Sequence, residues 1–468
     1  MSEGPERLQR LWFVGFAGHR EVADPITAKA AICRELDLIT TTVHGQVVGI
    51  ASAAAGADLL FLDACKEAGI RTVVLLPFTK ERFAQDFDDP EEWRHACRCM
   101  DDAWWLEVSP GGETAPAAYH VVAREILEIA DRMLFLWDGQ SARGLGGTAE
   151  SVKEAHDRRI ASRVIDATTL QATWNGPVPE PGMTDPSFEE MPAASTVAEL
   201  FEKLDTRAIQ SAPKSRRFAA GSLSLNHLAG LAQALLVTFV SLAAEVGAVI
   251  KFILVTTAAF LPWVGGRLRW QEQWVRDRVR AELLRSLIAS HDPGSPLRPP
   301  GLELFGREEA FFRTAAMHLV SSRRGWEAAR DAYLTERIDG QISYLQGKGD
   351  HAAKRMAVIG KLFWVASWSA MIFGGVAVVM ALVKAPLPGW LAFSAAVMPG
   401  LAAWLLAMIS VFEFKRRANL YHQLVDELKR LRPKVAAAQC ASAVSQAMNQ
   451  IERLLLNELW EWQGSRKK

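Results

Sequence analysis

The sequence has no net charge. Lysine plus arginine and aspartate plus glutamate number 53 each in a chain of 468 residues. A protein without an excess of positive charge has no overall field that attracts bulk nucleic acid. We therefore expect no direct nucleic-acid partner and look for ligands in local features of the sequence.

Cysteine is also scarce. The five cysteines are an odd number and include no pair of clusters at the spacing of zinc ligands. This argues against a disulfide framework and against a structural zinc site. His19, His120, Asp138 and Cys97 are of metal-ligating types, but they include no ligand-spaced pair. We expect neither a metal nor a cofactor, and a reducing, cytosolic setting for the N-terminal half.

Long hydrophobic runs are missing from the first 225 residues. The opening residues, MSEGPERLQR, are polar and lead into a strand-like run, so we expect no signal peptide. Hydrophobic residues make up half of the chain and concentrate after residue 226. A chain of this length predicts two or three structural units.

Short apolar runs alternate with helical patterns between residues 11 and 168. This alternation is typical of an α/β fold with a doubly wound, mostly parallel sheet and helices on both faces. We predict that this domain occupies residues 1–168. The strand candidates are LWFVGF, QVVGIAS, RTVVLLPF, AWWLEVS, RMLFLW and SRVIDAT.

Two uncharged runs in the last third, 362–383 and 385–412, are long enough to cross a bilayer. Only Lys384 and a turn-forming APLPGW lie between them, which predicts a transmembrane hairpin within residues 354–414. Basic residues on both outer flanks place the two ends in the cytosol by the positive-inside rule. These residues are Lys354, Arg355 and Lys361 before the hairpin and Lys415, Arg416 and Arg417 after it.

A weaker apolar region, 228–264, is interrupted by Glu245 and Lys251. Three interpretations are open: a second tight hairpin with 245–251 at its outer tip, a single tilted crossing, or an element lying on the membrane. Arginines on both sides favour the hairpin, because a single crossing would place one basic flank outside. We predict a first membrane hairpin at 226–266. The flanking arginines are Arg216, Arg217, Arg267 and Arg269.

The remaining segments are predicted as a linker and cytosolic helices. Together with the hairpins, the helices form an all-α membrane domain in the inner cell membrane, multi-pass, with both termini cytoplasmic. Heptad-like spacing in the helices indicates packing against each other or against further copies in a homo-oligomer. The predicted segments are a linker at 169–225, helices at 267–353 with a Pro-rich break at 291–301, and a C-terminal helix at 415–468.

Three segments of the α/β half are predicted to meet at the carboxyl ends of strands, where such sheets bind ligands. VGFAGHR has small residues that let backbone N–H groups approach an anion, and an arginine for phosphate. IASAAAGADLL is a small-residue turn with open N–H groups that leads into a helix. RGLGGTAESV follows a strand and begins a helix. The candidate ligand-binding residues are Gly18, His19, Arg20, Ser52, Gly56, Asp58, Arg143, Gly144, Gly146, Gly147, Thr148 and Glu150.

Two carboxylates in these segments have two interpretations each. Asp58 is expected to cap a helix or to reach a ribose hydroxyl. Glu150 is expected to favour a helix N-terminus or to act in catalysis. Mutation of Glu150 distinguishes its structural role at the helix N-terminus from a role in catalysis.

The order GFAGHR, SAAAGAD and DGQSARGLGGTAESV resembles the SLOG superfamily. This Rossmann-like group includes the LOG cytokinin-activating phosphoribohydrolases and DNA-processing protein A. The resemblance covers about residues 11–168 and implies binding of a nucleotide or a nucleotide-derived signal. LOG enzymes pair their motif glutamate with a catalytic arginine, for which Arg143 is the candidate. GGTAE matches the LOG element only in part, so the resemblance implies binding rather than catalysis.

AYLTERIDGQISYL, the hairpin after it and FEFKRRANLYHQL resemble SLATT domains, the two-transmembrane effectors associated with SMODS and SLOG proteins. Tyr333, Arg337, Gln341 and Tyr344 recur at four, four and three residues and are expected to share one helix face. The two resemblances together imply a sensor joined to a membrane effector in antiviral defence. A nucleotide second messenger would trigger pore formation or membrane disruption, and so abortive infection.

Two other functions remain open. One is a membrane-anchored nucleotide hydrolase, similar to an N-glycosidase or phosphoribohydrolase, with the candidate catalytic residue Glu150 as general acid or base. The other is a constitutive channel or scaffold whose α/β domain only assembles the complex. The sensor is favoured over the enzyme. The expected partners are a nucleotide-derived small molecule, the lipid bilayer and further copies of the chain.

Overall fold

The chain divides into two units, which we call the α/β unit and the helical unit. The α/β unit comprises Met1–Thr196, Ser295–Leu302 and Gly306–Ser322, and the helical unit comprises Val197–Gly294, Glu303–Phe305 and Arg323–Lys468. The computed structural model describes residues 8–109, 111, 114–141, 146–180, 182, 184–185, 188, 190–239, 244–267, 270–304 and 308–464.

A seven-stranded sheet forms the centre of the α/β unit, with its strands in the order β4-β3-β2-β1-β5-β6-β7. The first six strands are parallel, and the last is antiparallel to its neighbour. All six sequence-predicted strands are present, and the seventh was not predicted. The strands are β1 (Leu11–Gly18), β2 (Gln46–Ala51), β3 (Arg71–Leu76), β4 (Trp105–Val108), β5 (Arg132–Trp137), β6 (Ala161–Asp166) and β7 (Ala172–Asn175).

Helices cover both faces of this sheet, so its central strands are buried on both sides and consist almost entirely of apolar residues. Two separate clusters of buried side chains result. One contains Phe16 and Phe61, and the other contains Phe13 and Phe135. The predicted doubly wound α/β fold is confirmed. The helices of this unit are α1 (Pro25–Thr42), α2 (Ala57–Glu67), α3 (Lys80–Phe83), α4 (Pro90–Asp102), α5 (Ala115–Ile129), α6 (Thr148–Asp157) and α10 (Glu309–His318).

The strand order places a topological switch point between β1 and β5. The chain moves outward from β1 through β2 and β3 to β4, and then crosses back by α5 to pair β5 with the other side of β1. Gly18 at the end of β1 lies opposite Leu136 near the end of β5. The connections that follow these two strands therefore diverge and leave a crevice between them.

Residues 295–302 and 306–322 belong to the α/β unit, although about one hundred residues of the helical unit precede them in the chain. We call them the insert. Thr314 Oγ1 accepts a hydrogen bond from the backbone N–H of Leu11 (3.2 Å), and Leu297 and Met317 are buried in one of the two cores. The sequence analysis had assigned this stretch to the helices of the membrane domain. The structure instead places it against the sheet.

The expected linker at 169–225 is also partly regular structure. Ala172–Asn175 forms β7, and a long helix begins at Val197. Residues 197–225 are therefore helical. The Pro- and Gly-rich segment between 176 and 196 is irregular where the structure describes it, as predicted for a linker.

In its described residues, the helical unit contains four stretches that are long and apolar enough to cross a membrane, by length and composition. They are Phe218–Phe239, Glu245–Val264 and parts of Trp326–Leu382 and Gly389–Ala436. The helices of this unit are α7 (Val197–Phe239), α8 (Ala244–Arg267), α9 (Trp270–Ser290), α11 (Trp326–Ala332), a π-helix (Tyr333–Asp339), α12 (Gly340–Leu382), α13 (Gly389–Phe412), α14 (Phe414–Ala436) and α15 (Ala441–Gly464).

Helices α12 and α13 form the hairpin predicted for the last third. Residues 383–388 connect them, and the second helix starts at Gly389, so most of the predicted APLPGW turn lies in the connection. The prolines of the connection favour this break, because they lack the N–H group that a helix interior requires. The predicted single C-terminal helix at 415–468 is two helices, α14 and α15.

Helices α7 and α8 run antiparallel, as in a hairpin. Ser222 Oγ donates to the carbonyl oxygen of Ala258 (2.7 Å), and Leu236 would contact a Cβ at Gly247. The predicted tip at 245–251 is wrong, because Glu245 lies in the first turn of α8 and Lys251 lies well inside it. The chain between the two helices, 240–243, is outside the described residues.

The predicted common face of Tyr333, Arg337, Gln341 and Tyr344 is only partly correct. Tyr333 and Arg337 are buried, whereas the Tyr344 side chain is 51% exposed. The first two lie in the π-helix, where i to i+5 hydrogen bonds change the number of residues per turn and shift every later residue around the helix. Both buried side chains bind Glu452 of α15.

Candidate ligand-binding site

A cleft of about 630 Å³ lies at the switch point of the sheet, within the α/β unit. Its walls are the carboxyl ends of β1 and β5, one side of α5 from Ala115 to Ile126, the start of α6 and the turn before α2. The three segments expected to meet therefore do so. The sequence-predicted residues that line the cleft are Gly18, His19, Arg20, Ser52, Asp58, Gly146, Gly147 and Thr148. Arg143 and Gly144 lie outside the described residues.

His19 joins the ends of the two strands that flank the switch point. The backbone N–H of Asp138 donates to Nε2 of His19 (3.0 Å), and Oδ1 of Asp138 lies 3.1 Å from the same nitrogen. The contact fixes the ring of His19 at the floor of the cleft.

Arg20 forms one side of the cleft with two residues that the sequence analysis missed. Its guanidinium lies 5.1 Å from the ring centre of Tyr119. The Tyr119 hydroxyl donates to Oδ2 of Asp86 (2.6 Å), and Arg82 donates to the other oxygen (2.8 Å). Burial acts to raise the pKa of Asp86, but the bonds from Tyr119 and Arg82 prevail and lower it. Asp86 therefore stays ionised and holds Tyr119 in place.

The turn before α2 does not present open N–H groups, contrary to expectation. The N–H of Ala54 donates to Asp58 Oδ2 (3.3 Å), that of Gly56 to Glu92 Oε1 (2.8 Å) and that of Ala57 to the His19 carbonyl oxygen (3.0 Å). Protein acceptors thus occupy the groups that we expected to bind phosphate. The turn therefore forms part of the cleft wall, but these backbone N–H groups are not available to bind an anion.

Asp58 caps this turn and also lines the cleft. It is 7% exposed and accepts hydrogen bonds from Ala54 and Ser52. Burial raises the pKa of Asp58 to about 6 in spite of these bonds. Gly56 does not line the cleft, among the residues described. Its φ is +84°, and a Cβ there would overlap the carbonyl oxygen of Arg20, so this glycine lets Arg20 approach.

The loop before α6 is held by Glu150. The backbone N–H of Gly146 donates to Glu150 Oε2 (2.7 Å), which lies 3.6 Å from Nδ1 of His120. Gly146 has a φ of +79°, and a Cβ there would lie 2.8 Å from the backbone nitrogen of His120. In the described part of the chain, the cleft wall includes Ala149 and Ser151 but not Glu150.

The start of α6 is the part of the cleft most suited to an anion. Thr148 and Ala149 line the cleft as the first two residues of this helix, whose N-cap is Gly147. The first N–H groups of a helix have no intrahelical acceptor, and the helix dipole places positive potential there. Together with the Arg20 guanidinium, this end of α6 provides two sources of positive potential.

The residues considered for a metal from the sequence do not form one site. His19 contacts Asp138, whereas His120 contacts Glu150. Elsewhere in the α/β unit, Asp63, His95 and Cys99 bring three potential ligand atoms within 4.8 Å of one another. The sequence signal for this group is the spacing of four residues between His95 and Cys99, which places both on one face of a helix.

Comparison with known proteins concerns the helical unit. No curated protein matches the chain in sequence. Residues 333–462 match the family described as SMODS and SLOG-associating 2TM effector domain 1, SLATT_1. The match contains the π-helix, α12, α13, α14 and most of α15, and it excludes the α/β unit, α7 and α8. The predicted resemblance to SLATT domains is thereby confirmed, and the C-terminal region is a SLATT-like domain, which implies a membrane effector of conflict systems.

Proposed function

We propose that this protein is a membrane effector of bacterial defence whose α/β unit binds a nucleotide-derived second messenger. The observation that carries the proposal is the meeting of three strand-end segments in one cleft, in a chain that also contains a SLATT-like domain. The resemblance of residues 11–168 to SLOG domains supports the choice of ligand. A volume of about 630 Å³ lies within the usual range for small-molecule sites.

The cleft offers a separate contact for each part of a nucleotide. Phosphate suits the start of α6 and the guanidinium of Arg20. The carboxylates of Asp58 and Asp138 suit the hydroxyl groups of a ribose, since an ionised carboxylate only accepts hydrogen bonds. The rings of Tyr119 and Trp137, which also line the cleft, suit a base.

The membrane part of the proposal is that both hairpins cross the inner membrane, with the two termini in the cytosol. The flanks Lys354–Lys361 and Lys415–Arg417 are basic, as the positive-inside rule requires. Apolar side chains in the candidate spans are exposed, for example Phe252 by 72% and Leu382 by 77%. Lipid and further copies of the chain would cover such side chains.

Helix α5 contacts both the cleft and the insert. Tyr119, in its first half, lines the cleft. In its second half, Glu125 binds Arg298 (2.9 Å), and the carbonyl oxygen of Ile129 accepts a hydrogen bond from Arg313 (3.2 Å). Both arginines belong to the insert, which lies between α9 and α11 in the chain. A ligand that moves α5 would therefore also move the insert, which is joined along the chain to the helical unit.

A ligand gates the effector only if it binds the active form more tightly than the resting form. The alternative hydrolase receives less support, because the Glu150 carboxylate is bonded to the backbone of its own loop. The constitutive channel or scaffold differs from the proposal in one respect, namely that its membrane effect would not depend on a ligand.

A ligand screen on the full-length protein in detergent tests the proposal. We expect one class of nucleotide to raise the melting temperature. Arg20→Ala should weaken its binding roughly 10- to 100-fold, as the loss of one charge-assisted contact predicts. Arg124→Ala is the matched control, because Arg124 lies on α5 outside the cleft as described. Binding of no nucleotide, or equal losses in both variants, would overturn the proposal.

A further inference from the structure

A second cluster of chemically active side chains lies between α2 and α4, outside the ligand cleft. Asp63 is on α2, and His95 and Cys99 are one turn apart on α4. Asp63 Oδ1 lies 3.0 Å from His95 Nε2 and 4.0 Å from Cys99 Sγ. The carboxylate oxygen is thus shared by a ring nitrogen and a thiol.

These separations are close to those between the ligand atoms of a bound metal. Zinc bonds of about 2.0–2.1 Å to nitrogen or oxygen and about 2.3 Å to sulfur, at tetrahedral angles, place ligand atoms roughly 3.3–3.6 Å apart. The observed 3.0 and 4.0 Å lie on either side of this range. All three ligand atoms lie within 4.8 Å of one another, so a bound metal requires only a small adjustment of the side chains.

The donor set is chemically selective. Magnesium and calcium prefer oxygen ligands, whereas an imidazole, a thiolate and a carboxylate together suit zinc. The contact between Asp63 and His95 alone would be an ordinary ion pair, but Cys99 adds a thiol that donates to the same oxygen and completes a set of three ligand types. The three residues line a cavity of about 570 Å³, which leaves room for a water as the fourth ligand.

We propose that Asp63, His95 and Cys99 bind one zinc ion. The ion joins α2 to α4 between one and two turns away from Glu92, which lies on α4 and accepts the hydrogen bond from Gly56. Zinc therefore stabilises the turn that positions Arg20. This last consequence rests on the proposed nucleotide site, whereas zinc binding itself does not.

Metal analysis of the full-length protein, purified in detergent without chelators, tests the site. We expect about one zinc per chain, and cobalt in its place should give a thiolate-to-metal charge-transfer absorption. Cys99→Ser should remove this absorption, and His95→Gln should weaken metal binding at least about tenfold. Cys97→Ser is the matched control, since Cys97 lies on the same helix but not among the described residues of this cavity.

The outcomes are distinct. Absence of bound metal in the wild type, a cobalt spectrum without thiolate absorption, or equal loss in Cys97→Ser would each overturn the assignment. Melting curves recorded without metal show whether each variant folds. Because no nucleotide is present, failure of the zinc site is distinguishable from failure of the nucleotide site.

Discussion

The carboxylate of Glu150 accepts a hydrogen bond of 2.7 Å from the backbone N–H of Gly146. The candidate catalytic residue thus stabilises the conformation of its own loop. The loop in turn presents Gly146, Gly147 and Thr148 to the cleft. This relationship favours a binding loop over a hydrolytic one.

Replacement of Glu150 separates these two roles. Glu150→Gln retains an oxygen that accepts from Gly146, so nucleotide affinity should change less than about threefold, whereas Glu150→Ala should destabilise the loop by about 1 kcal/mol. Calorimetric titration and melting curves measure both effects. If the wild type turned over a nucleotide and Glu150→Gln abolished that turnover, Glu150 would be catalytic.

Gly146→Ala should destabilise the α/β unit and weaken ligand binding. Its φ of +79° strains an alanine, and the new Cβ would lie 2.8 Å from the backbone nitrogen of His120. We expect a cost of about 1–3 kcal/mol. Gly139→Ala is the control, because Gly139 has a φ of +75° but open space around a Cβ. Similar melting temperatures for the two variants would show that the contact with His120 has no effect.

Asp58 should make stability depend on pH. Its pKa of about 6 in the folded protein is above the ordinary value of 3.8, so the folded state favours the neutral form. The stabilisation from Asp58 is complete below about pH 4 and is lost as the pH rises to about 6. Asp58→Asn should therefore gain stability relative to the wild type between these values, on the order of 1–3 kcal/mol.

A carboxylate with the opposite shift provides the control for that experiment. Backbone N–H groups of Thr169 and Thr168 lower the pKa of Asp166. Its stabilisation is present above the ordinary pKa of 3.8 and is lost only as the pH falls below that value, so the difference in stability between Asp166→Asn and the wild type should stay constant from pH 4 to pH 7. Melting curves from pH 4 to pH 7 compare the two variants. A parallel response would show that burial of Asp58 does not set the trend.

The buried ion pair of the helical unit should be essential for its stability. Arg337 and Glu452 form a bidentate pair with an Nη2–Oε2 distance of 2.7 Å, and Tyr333 donates to the same carboxylate. Glu452→Gln leaves the Arg337 charge buried without its counter-charge and should cost about 3–5 kcal/mol. The exposed pair of Glu427 and Arg430 is the control, and Glu427→Gln should cost less than about 1 kcal/mol. Equal shifts in melting temperature would contradict this account.

Much of the fold could be predicted from the sequence because its signals are local. Each strand that is buried on both faces is a short apolar run, as in RTVVLL, and the candidate spans at 362–412 are long uncharged runs. Strand β7 was missed, since four residues with a mixed pattern give no clear period. The return of residues 306–322 to the sheet was also missed, because that packing depends on contacts such as Thr314 with Leu11, which are distant in the chain.

The sequence patterns predict which chain segments line the site, but not which of their side chains face it. Glycines at strand ends indicate where backbone can approach a ligand, and Gly18, Gly146 and Gly147 do line the cleft. The direction of a side chain depends on neighbours that the sequence does not reveal. Glu150 bonds to its own loop, and Tyr119 lines the cleft from a helix whose apolar period identifies it only as a packing residue.

Ligand-dependent leakage from liposomes tests the central claim most directly. Full-length protein reconstituted with the nucleotide found in the binding screen should release an entrapped dye. Omission of the nucleotide, or Arg20→Ala at the same nucleotide concentration, should abolish the release. Leakage that is equal with and without nucleotide, or no leakage from protein that binds the nucleotide, would contradict the account.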